Sequence, residues 1–190
     1  MGIVRALLVG DDPADYTLIR QLVFKFEETR FHLDWEPTYG QALEGMCRQE
    51  HDVYLLDYQL GDHTGLQLLQ EAVAGGSTAP AILLTDQSDR DLEIEAMKAG
   101  AADCLVKGQF EAPMLERSIR YAIERTRASE ALQETEIRHR QILDAISDMV
   151  FCKDSRSRIV WANKSFRDYY GIADENYYSA HSPLFDESNY

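Results

Sequence analysis

Four short apolar runs, each ending at a polar residue, constrain the fold of this chain more than any other feature. The runs are Ala6-Leu7-Leu8-Val9, Val53-Tyr54-Leu55-Leu56, Ala81-Ile82-Leu83-Leu84 and Cys104-Leu105-Val106. At or just past their C-terminal ends stand Asp11, Asp57, Thr85 and Lys107. Short bounded apolar runs suit strands buried on both faces of a parallel sheet. Ligands of such sheets bind outside the carboxyl ends of the strands. The four side chains are therefore expected on one rim. Two carboxylates, a hydroxyl and an ammonium in that place suit a divalent metal and a phosphoryl group.

Helix-like segments separate the runs. The first strand spans Arg5–Val9, and a helix starts near Pro13 with Asp12 as its N-cap. A further strand is expected at Phe31–Glu36 and a helix over Gly40–Gln49. The third strand, Val53–Leu56, leads to a helix after Gly65, and Gly75-Gly76-Ser77 closes that helix. Strand four, Ala81–Leu84, precedes a helix over Asp89–Ala99 with Gly100 as its C′ residue. The fifth strand is Asp103–Val106. Strands alternating with helices imply a doubly wound α/β domain: a five-stranded parallel sheet with helices on both faces. Periodicity alone leaves the strand order open.

The texture changes after Pro113. No proline or glycine occurs from Met114 to Ile146, and charges fill the spaces between intermittent apolar residues. One long helix that outgrows its domain is expected. A dimeric coiled coil along this helix is one expectation, although Thr126 and Ser129 break its a/d pattern. Met149–Lys153 and Arg158–Ala162 then form a hairpin around Asp154-Ser155-Arg156-Ser157, and Asn163 caps a short helix through Tyr170. The tail Ala180–Tyr190 shows no closing element. About 45 residues bury too little core for an independent mixed domain, so this part is expected to be cut from a larger chain.

Net charge is −14, from 33 acidic and 19 basic residues. That opposes nonspecific contact with nucleic acid or anionic membrane. The cysteines, Cys47, Cys104 and Cys152, form neither a zinc motif nor a disulfide framework and fit a reducing cytoplasm. No signal peptide and no bilayer-spanning stretch is expected.

Asp57 is the candidate nucleophile, since a carboxylate can accept a phosphoryl group as an acyl phosphate. Anion attacks anion in that step, so the charge must be neutralised. A Mg2+ ion held by Asp11 and Asp57 would do so. Lys107 would pair with one phosphoryl oxygen, and Thr85 would hydrogen-bond another. His139 lies on a charged helix face and lacks the acidic and proline neighbours of a kinase phosphoacceptor box.

The chain resembles the receiver domains of two-component response regulators over about residues 3–127. The matching stretches are Leu7-Leu8-Val9-Gly10-Asp11-Asp12-Pro13-Ala14-Asp15, Leu55-Leu56-Asp57-Tyr58-Gln59-Leu60, Leu83-Leu84-Thr85-Asp86 and Gly100-Ala101-Ala102-Asp103-Cys104-Leu105-Val106-Lys107. The resemblance implies a flavodoxin-like sheet of order 2-1-3-4-5. It implies that Asp57 takes phosphate from a histidine kinase or phosphotransfer protein, and that the backbone carbonyl of Gln59 completes the metal shell. Three positions depart from the family pattern. Gly10 stands where the first of two acidic residues is usual, leaving Asp11 as direct ligand and Asp12 as a helper. Cys104 replaces the aromatic that turns inward on phosphorylation. Gly108 replaces the proline after the lysine.

The hairpin segment resembles the start of a PAS sensory domain, over about residues 138–190. The resemblance rests on Ile142-Leu143-Asp144-Ala145-Ile146-Ser147-Asp148-Met149-Val150-Phe151, on Ile159-Val160-Trp161-Ala162-Asn163-Lys164-Ser165-Phe166 and on Gly171. The expected organisation is a receiver at 1–127, a helical linker at 128–147 and a partial PAS domain at 148–190. Two functional readings follow. In the first, phosphorylation of Asp57 is relayed through the long helix, a homodimer contact, to the PAS domain and an output such as a histidine kinase or cyclic-dinucleotide enzyme. In the second, a pseudo-receiver serves dimerisation or docking without phosphorylation.

Overall fold

The structure, a computed structural model, describes residues 3–27 and 30–172. The tail Ala180–Tyr190 lies outside the described residues. The chain divides into two compact units, 1–129 and 130–190.

The first unit contains strands β1 (Ile3–Val9), β2 (Arg30–Glu36) and β3 (Val53–Asp57). A small ribbon, β4 (Gln59–Leu60) and β5 (His63–Thr64), follows, then β6 (Ala81–Thr85) and β7 (Asp103–Val106). Helices α1 (Pro13–Val23), α2 (Tyr39–Cys47), α3 (Gly65–Ala74) and α4 (Arg90–Lys98) connect them, and α5 (Ala112–Asp144) continues into the second unit. The main sheet is parallel and runs β2-β1-β3-β6-β7. Without the β4–β5 ribbon this is the flavodoxin-like order 2-1-3-4-5.

Alternation along the central strands builds a core on each face. Leu7, Val9, Tyr54, Leu56 and Leu83 face α2, α3 and α4 through Met46, Leu68, Leu69 and Ala96. Ala6, Leu8, Leu55, Ile82 and Leu84 face α1 and α5 through Ile19, Leu115 and Ile119. Every residue of β3 and β6 is buried. That is why these strands read as continuous apolar runs.

Helix ends follow the expected chemistry, with small shifts. Asp12 caps α1 by accepting from the Ala14 amide at 2.8 Å, with Pro13 at the first helical position. Gly100 follows α4 with φ of +100°. Helix α2 ends at Cys47 rather than Gln49, whose own φ is +54°. Helix α5 begins at Ala112 and ends at Asp144, not at Met114 and Ile146. Pro113 fits inside its first turn, where an amide has no helical partner to lose.

In the second unit β8 (Phe151–Lys153) pairs antiparallel with β9 (Ile159–Ala162), and α6 (Lys164–Tyr170) follows. Ile159, Ala162 and Phe166 form its buried apolar set among the described residues. Asn163 caps α6 and is fully buried.

Candidate functional site: the carboxyl rim of the parallel sheet

Strand register places the rim residues side by side. Val9 aligns with Leu56, Asp57 with Leu84, and Thr85 with Val106. The residue after β1, Gly10, and the last residue of β6, Thr85, therefore flank the Asp57 position, and Lys107, just past β7, reaches it across β6 with its long side chain. The Lys107 amide donates to the Thr85 carbonyl at 2.7 Å and pins the strand end.

Asp57 closes β3 and is only 6% exposed. Its Oδ2 accepts from Lys107 Nζ at 2.8 Å. The other oxygen, Oδ1, has a long contact of 3.4 Å from the Gln59 amide. Burial pushes the Asp57 carboxyl above its usual range and outweighs the opposing pull of Lys107. Burial alone would lower Lys107. Its hydrogen bonds to Asp15 and Asp57, with their charges, outweigh that and hold the ammonium firmly protonated.

Helix α3 starts directly over the acceptor. The Gly65 amide donates to the Tyr58 carbonyl at 2.9 Å. A Cβ on Gly65 would meet the Asp57 carbonyl oxygen at 2.2 Å, so only glycine allows this approach. Thr64 and Gln67 then close a reciprocal capping box.

The other expected site residues are placed less directly. Thr85 is buried, but its Oγ1 is engaged with Gln87, accepting from that amide at 3.2 Å. Asp11 is exposed and, among the described residues, has no hydrogen-bonding or ionic partner. Asp12 uses one carboxylate oxygen as the α1 cap. Gly10 is held at both ends of its peptide. Its amide donates to the Glu36 carbonyl at 3.3 Å and its carbonyl accepts from Trp35 Nε1 at 2.8 Å. Trp35 in turn stacks on Tyr16 at 4.9 Å between centroids.

Two acidic residues at the site escaped the sequence reading. Lys107 Nζ also donates to Asp15 Oδ2 at 2.6 Å and approaches Asp86 Oδ2 at 3.4 Å. A signal existed for Asp15: it lies in the first turn of a helix that Asp12 starts at the rim.

The donor chemistry fits Mg2+. That ion takes one or two carboxylates and keeps several waters. Of the expected ligands, Asp57 Oδ1 has only the long contact from the Gln59 amide, and the exposed Asp11 carboxylate has no bonded partner among the described residues. Among the described residues no three His, Cys, Asp or Glu side chains could enclose a metal by themselves.

With this geometry in view, comparison with known proteins is decisive about family. The response regulator receiver domain model matches residues 6–120. The chain belongs to the response-regulator receiver family. A PAS domain model matches residues 137–189, so a PAS segment follows the receiver in the same chain. The transcriptional regulatory protein ZraR of Klebsiella oxytoca is 31% identical over 128 residues, 67% of this chain and 28% of that protein. The response regulator protein PilR of Pseudomonas aeruginosa is 33% identical over 105 residues, 54% of this chain and 22% of that protein. The chain thus spans roughly a quarter of the length of these curated relatives. Among solved structures, a CheY-like receiver domain from Methanospirillum hungatei JF-1 matches with a TM-score of 0.56 and 22% identity, covering 67% of this chain and 99% of that chain. The Francisella response regulator 1452 receiver domain gives a TM-score of 0.56 and 24% identity, over 65% of this chain and 98% of that chain. These structural likenesses bear on fold. No described helix of this receiver is long and apolar enough to cross a membrane.

Proposed function

We propose that Asp57 is the phosphoacceptor of this receiver, with Lys107 and Thr85 as the groups that hold the transferred phosphoryl. The observation that carries the reading is the buried pair between Asp57 Oδ2 and Lys107 Nζ, at 2.8 Å on the carboxyl rim. In the reaction an Asp57 oxygen attacks phosphorus. The bond from phosphorus to the donor breaks, and the donor leaves with that electron pair, as acetate from acetyl phosphate or as histidine from a phosphohistidine. Asp57 becomes an acyl phosphate. Lys107 turns its ammonium to a phosphoryl oxygen as a point charge. Thr85 leaves Gln87 and donates its hydroxyl to another.

Asp11, Asp57 and the backbone carbonyl of Gln59 are the residues that would hold Mg2+, with Asp12 as a helper. When bound, the ion supplies neutralisation of the charge that builds between nucleophile and phosphoryl. A histidine kinase or phosphotransfer protein is the natural donor for such an acceptor.

The signal leaves through α5. Cys104 is half-buried and has no ring to swing between pocket and surface. Instead, Ser118 Oγ of α5 donates to Asp103 Oδ2 of β7 at 2.5 Å, on the strand that ends at Lys107. Residues 128–147 act as the linker between a receiver at 1–127 and the PAS segment at 148–190, in a cytoplasmic homodimer joined through this helix. The pseudo-receiver is the second reading. It is favoured by Gly10 and by the Thr85 hydroxyl lying on Gln87.

Intact mass after incubation with Mg2+ and acetyl phosphate tests the reading. One phosphoryl adduct is expected on the parent chain and none on Asp57→Asn. No adduct together with no Mg2+ binding would establish the pseudo-receiver.

A further inference from the structure

Gly10 and Asp15 together define how Lys107 is held. A Cβ on Gly10 would lie 3.4 Å from Asp57 Cβ and 3.7 Å from Asp57 Oδ2. These are ordinary contacts, so sterics do not demand glycine beside the acceptor. A carboxylate at position 10 would stand next to Asp57. The chain supplies one from α1 instead. Asp15 Oδ2 accepts from Lys107 Nζ at 2.6 Å, closer than the 2.8 Å to Asp57 Oδ2. Side-chain exposure is 9% for Lys107 and 22% for Asp15, so water screens the contact only in part. One ammonium bridges these two carboxylates, with the exposed Asp86 further off at 3.4 Å.

We infer that Asp15 is a positioning residue that competes with the phosphoryl group for Lys107 and so restrains phosphorylation of Asp57. The inference rests on Asp57 being the phosphoacceptor. A group that binds Lys107 better in the free form than in the phosphorylated form stabilises the free form by linkage. Asp15 does this by direct competition, because Lys107 must turn a donor from it toward a phosphoryl oxygen. It also places a negative charge beside an arriving anion. Both effects have the same sign. Asparagine at this position keeps the shape and removes the charge, whereas glutamate keeps the charge.

The test uses the full 190-residue chain and beryllofluoride as a phosphoryl mimic, followed by titration calorimetry. Mg2+ is titrated first for each variant, so that every comparison is made with the metal saturating. Asp15→Asn is expected to tighten beryllofluoride binding at least about fivefold. The lifetime of the phosphoryl group taken from acetyl phosphate should lengthen in the same variant. Asp15→Glu should bring both values back toward the parent. Adding Gly10→Asp to Asp15→Asn should also do so, since it restores a carboxylate within reach of Lys107. A purely structural role for Asp15 would lower thermal stability without tightening the mimic. Unchanged or weaker beryllofluoride binding in Asp15→Asn, with the parent binding well, would overturn this inference alone. A parent chain that takes neither beryllofluoride nor a phosphoryl group would overturn the phosphoacceptor reading, and the inference with it.

Discussion

In the receiver, β3 and β6 bury every side chain, and two apolar clusters pack on the two faces of the sheet. In the second unit the buried apolar set among the described residues is Ile159, Ala162 and Phe166. At its centre stands a fully buried amide, Asn163. Asn163 Nδ2 donates to the carbonyls of Leu143 at 3.0 Å and Asp148 at 2.9 Å, and lies 3.3 Å from that of Ile146. Its Oδ1 accepts from the amides of Val150 at 2.9 Å and Phe166 at 3.2 Å. Asp144, at the end of α5, adds a bond from the Lys164 amide. The first unit is held mainly by apolar area on both faces of its sheet. The described part of the second leans on the Asn163 hub, with the buried Arg167 beside it donating to the Ala162 carbonyl at 2.9 Å. Apolar burial tolerates the loss of one contact, because many others share the load. A hub does not.

The largest effect is therefore expected from Asn163→Ala. It leaves the amides of Val150 and Phe166 and the Asp148 carbonyl without their partner, each costing about 1–3 kcal/mol when it stays buried. The described part of the second unit has too little apolar burial to absorb that. Amide hydrogen exchange should show protection lost at Val150 and Phe166 while β1, β3 and β6 exchange at parental rates. Loss of protection across both units would mean that the hub also supports the receiver, and the comparison would fail.

Leu55→Ala is the matching change in the receiver. Leu55 is fully buried in the cluster under α1 and α5. A cost of about 2–5 kcal/mol is expected, as for other buried leucines cut to alanine. The receiver should still fold and show a lowered denaturant midpoint with a preserved slope. A receiver that unfolds outright would be as fragile as the second unit.

The two units were also legible to different degrees. The apolar runs, their order along the chain and the strand-end positions of Asp57 and Thr85 could be read because strands buried on both faces tolerate almost only apolar side chains. Asp12 and Gly100 could be read because caps have local chemistry. The β4–β5 ribbon could not, since two-residue strands carry no periodicity. The Lys107–Asp15 contact was hidden for a different reason. It joins residues 92 apart, and which of several rim carboxylates a long lysine reaches depends on the packed geometry. Thr85 was expected at the site, but its hydroxyl orientation follows from the Gln87 loop. Asn163 was legible as a helix cap and not as a hub, because its carbonyl partners belong to the α5 terminus and to the chain entering β8.

A smaller effect is expected at the start of α3. Thr64→Ala removes the hydroxyl that accepts from the Gln67 amide at 3.2 Å. A capping loss of about 1 kcal/mol is expected, measured as a shift in denaturant midpoint. Because α3 begins over Asp57, the same variant should also accept phosphoryl more slowly, while the second unit keeps its exchange pattern.

The smallest effect lies in the β8–β9 turn, where the second unit uses a charge instead of an amide. Asp154 Oδ1 accepts from the amides of Arg156 at 2.9 Å and Arg158 at 3.0 Å, and Oδ2 from Arg158 Nε at 2.8 Å. The Arg158 amide first, then the Arg158 side chain and the Arg156 amide, hold its carboxyl below the usual 3.8. A depressed folded pKa gives stability that is present above the unfolded value and lost as pH falls through the folded one. The hairpin should therefore loosen only below about pH 3.8. The side chain is partly exposed at the tip of the hairpin and bonds only within it, so the change should be confined to the turn. It is read as the chemical shifts of the Arg156 and Arg158 amides across an acid titration. Asp154→Asn should abolish the titration and leave the shifts near Asn163 in place. If those shifts moved with Asp154, the turn and the hub would be one cooperative network rather than two independent sets of bonds.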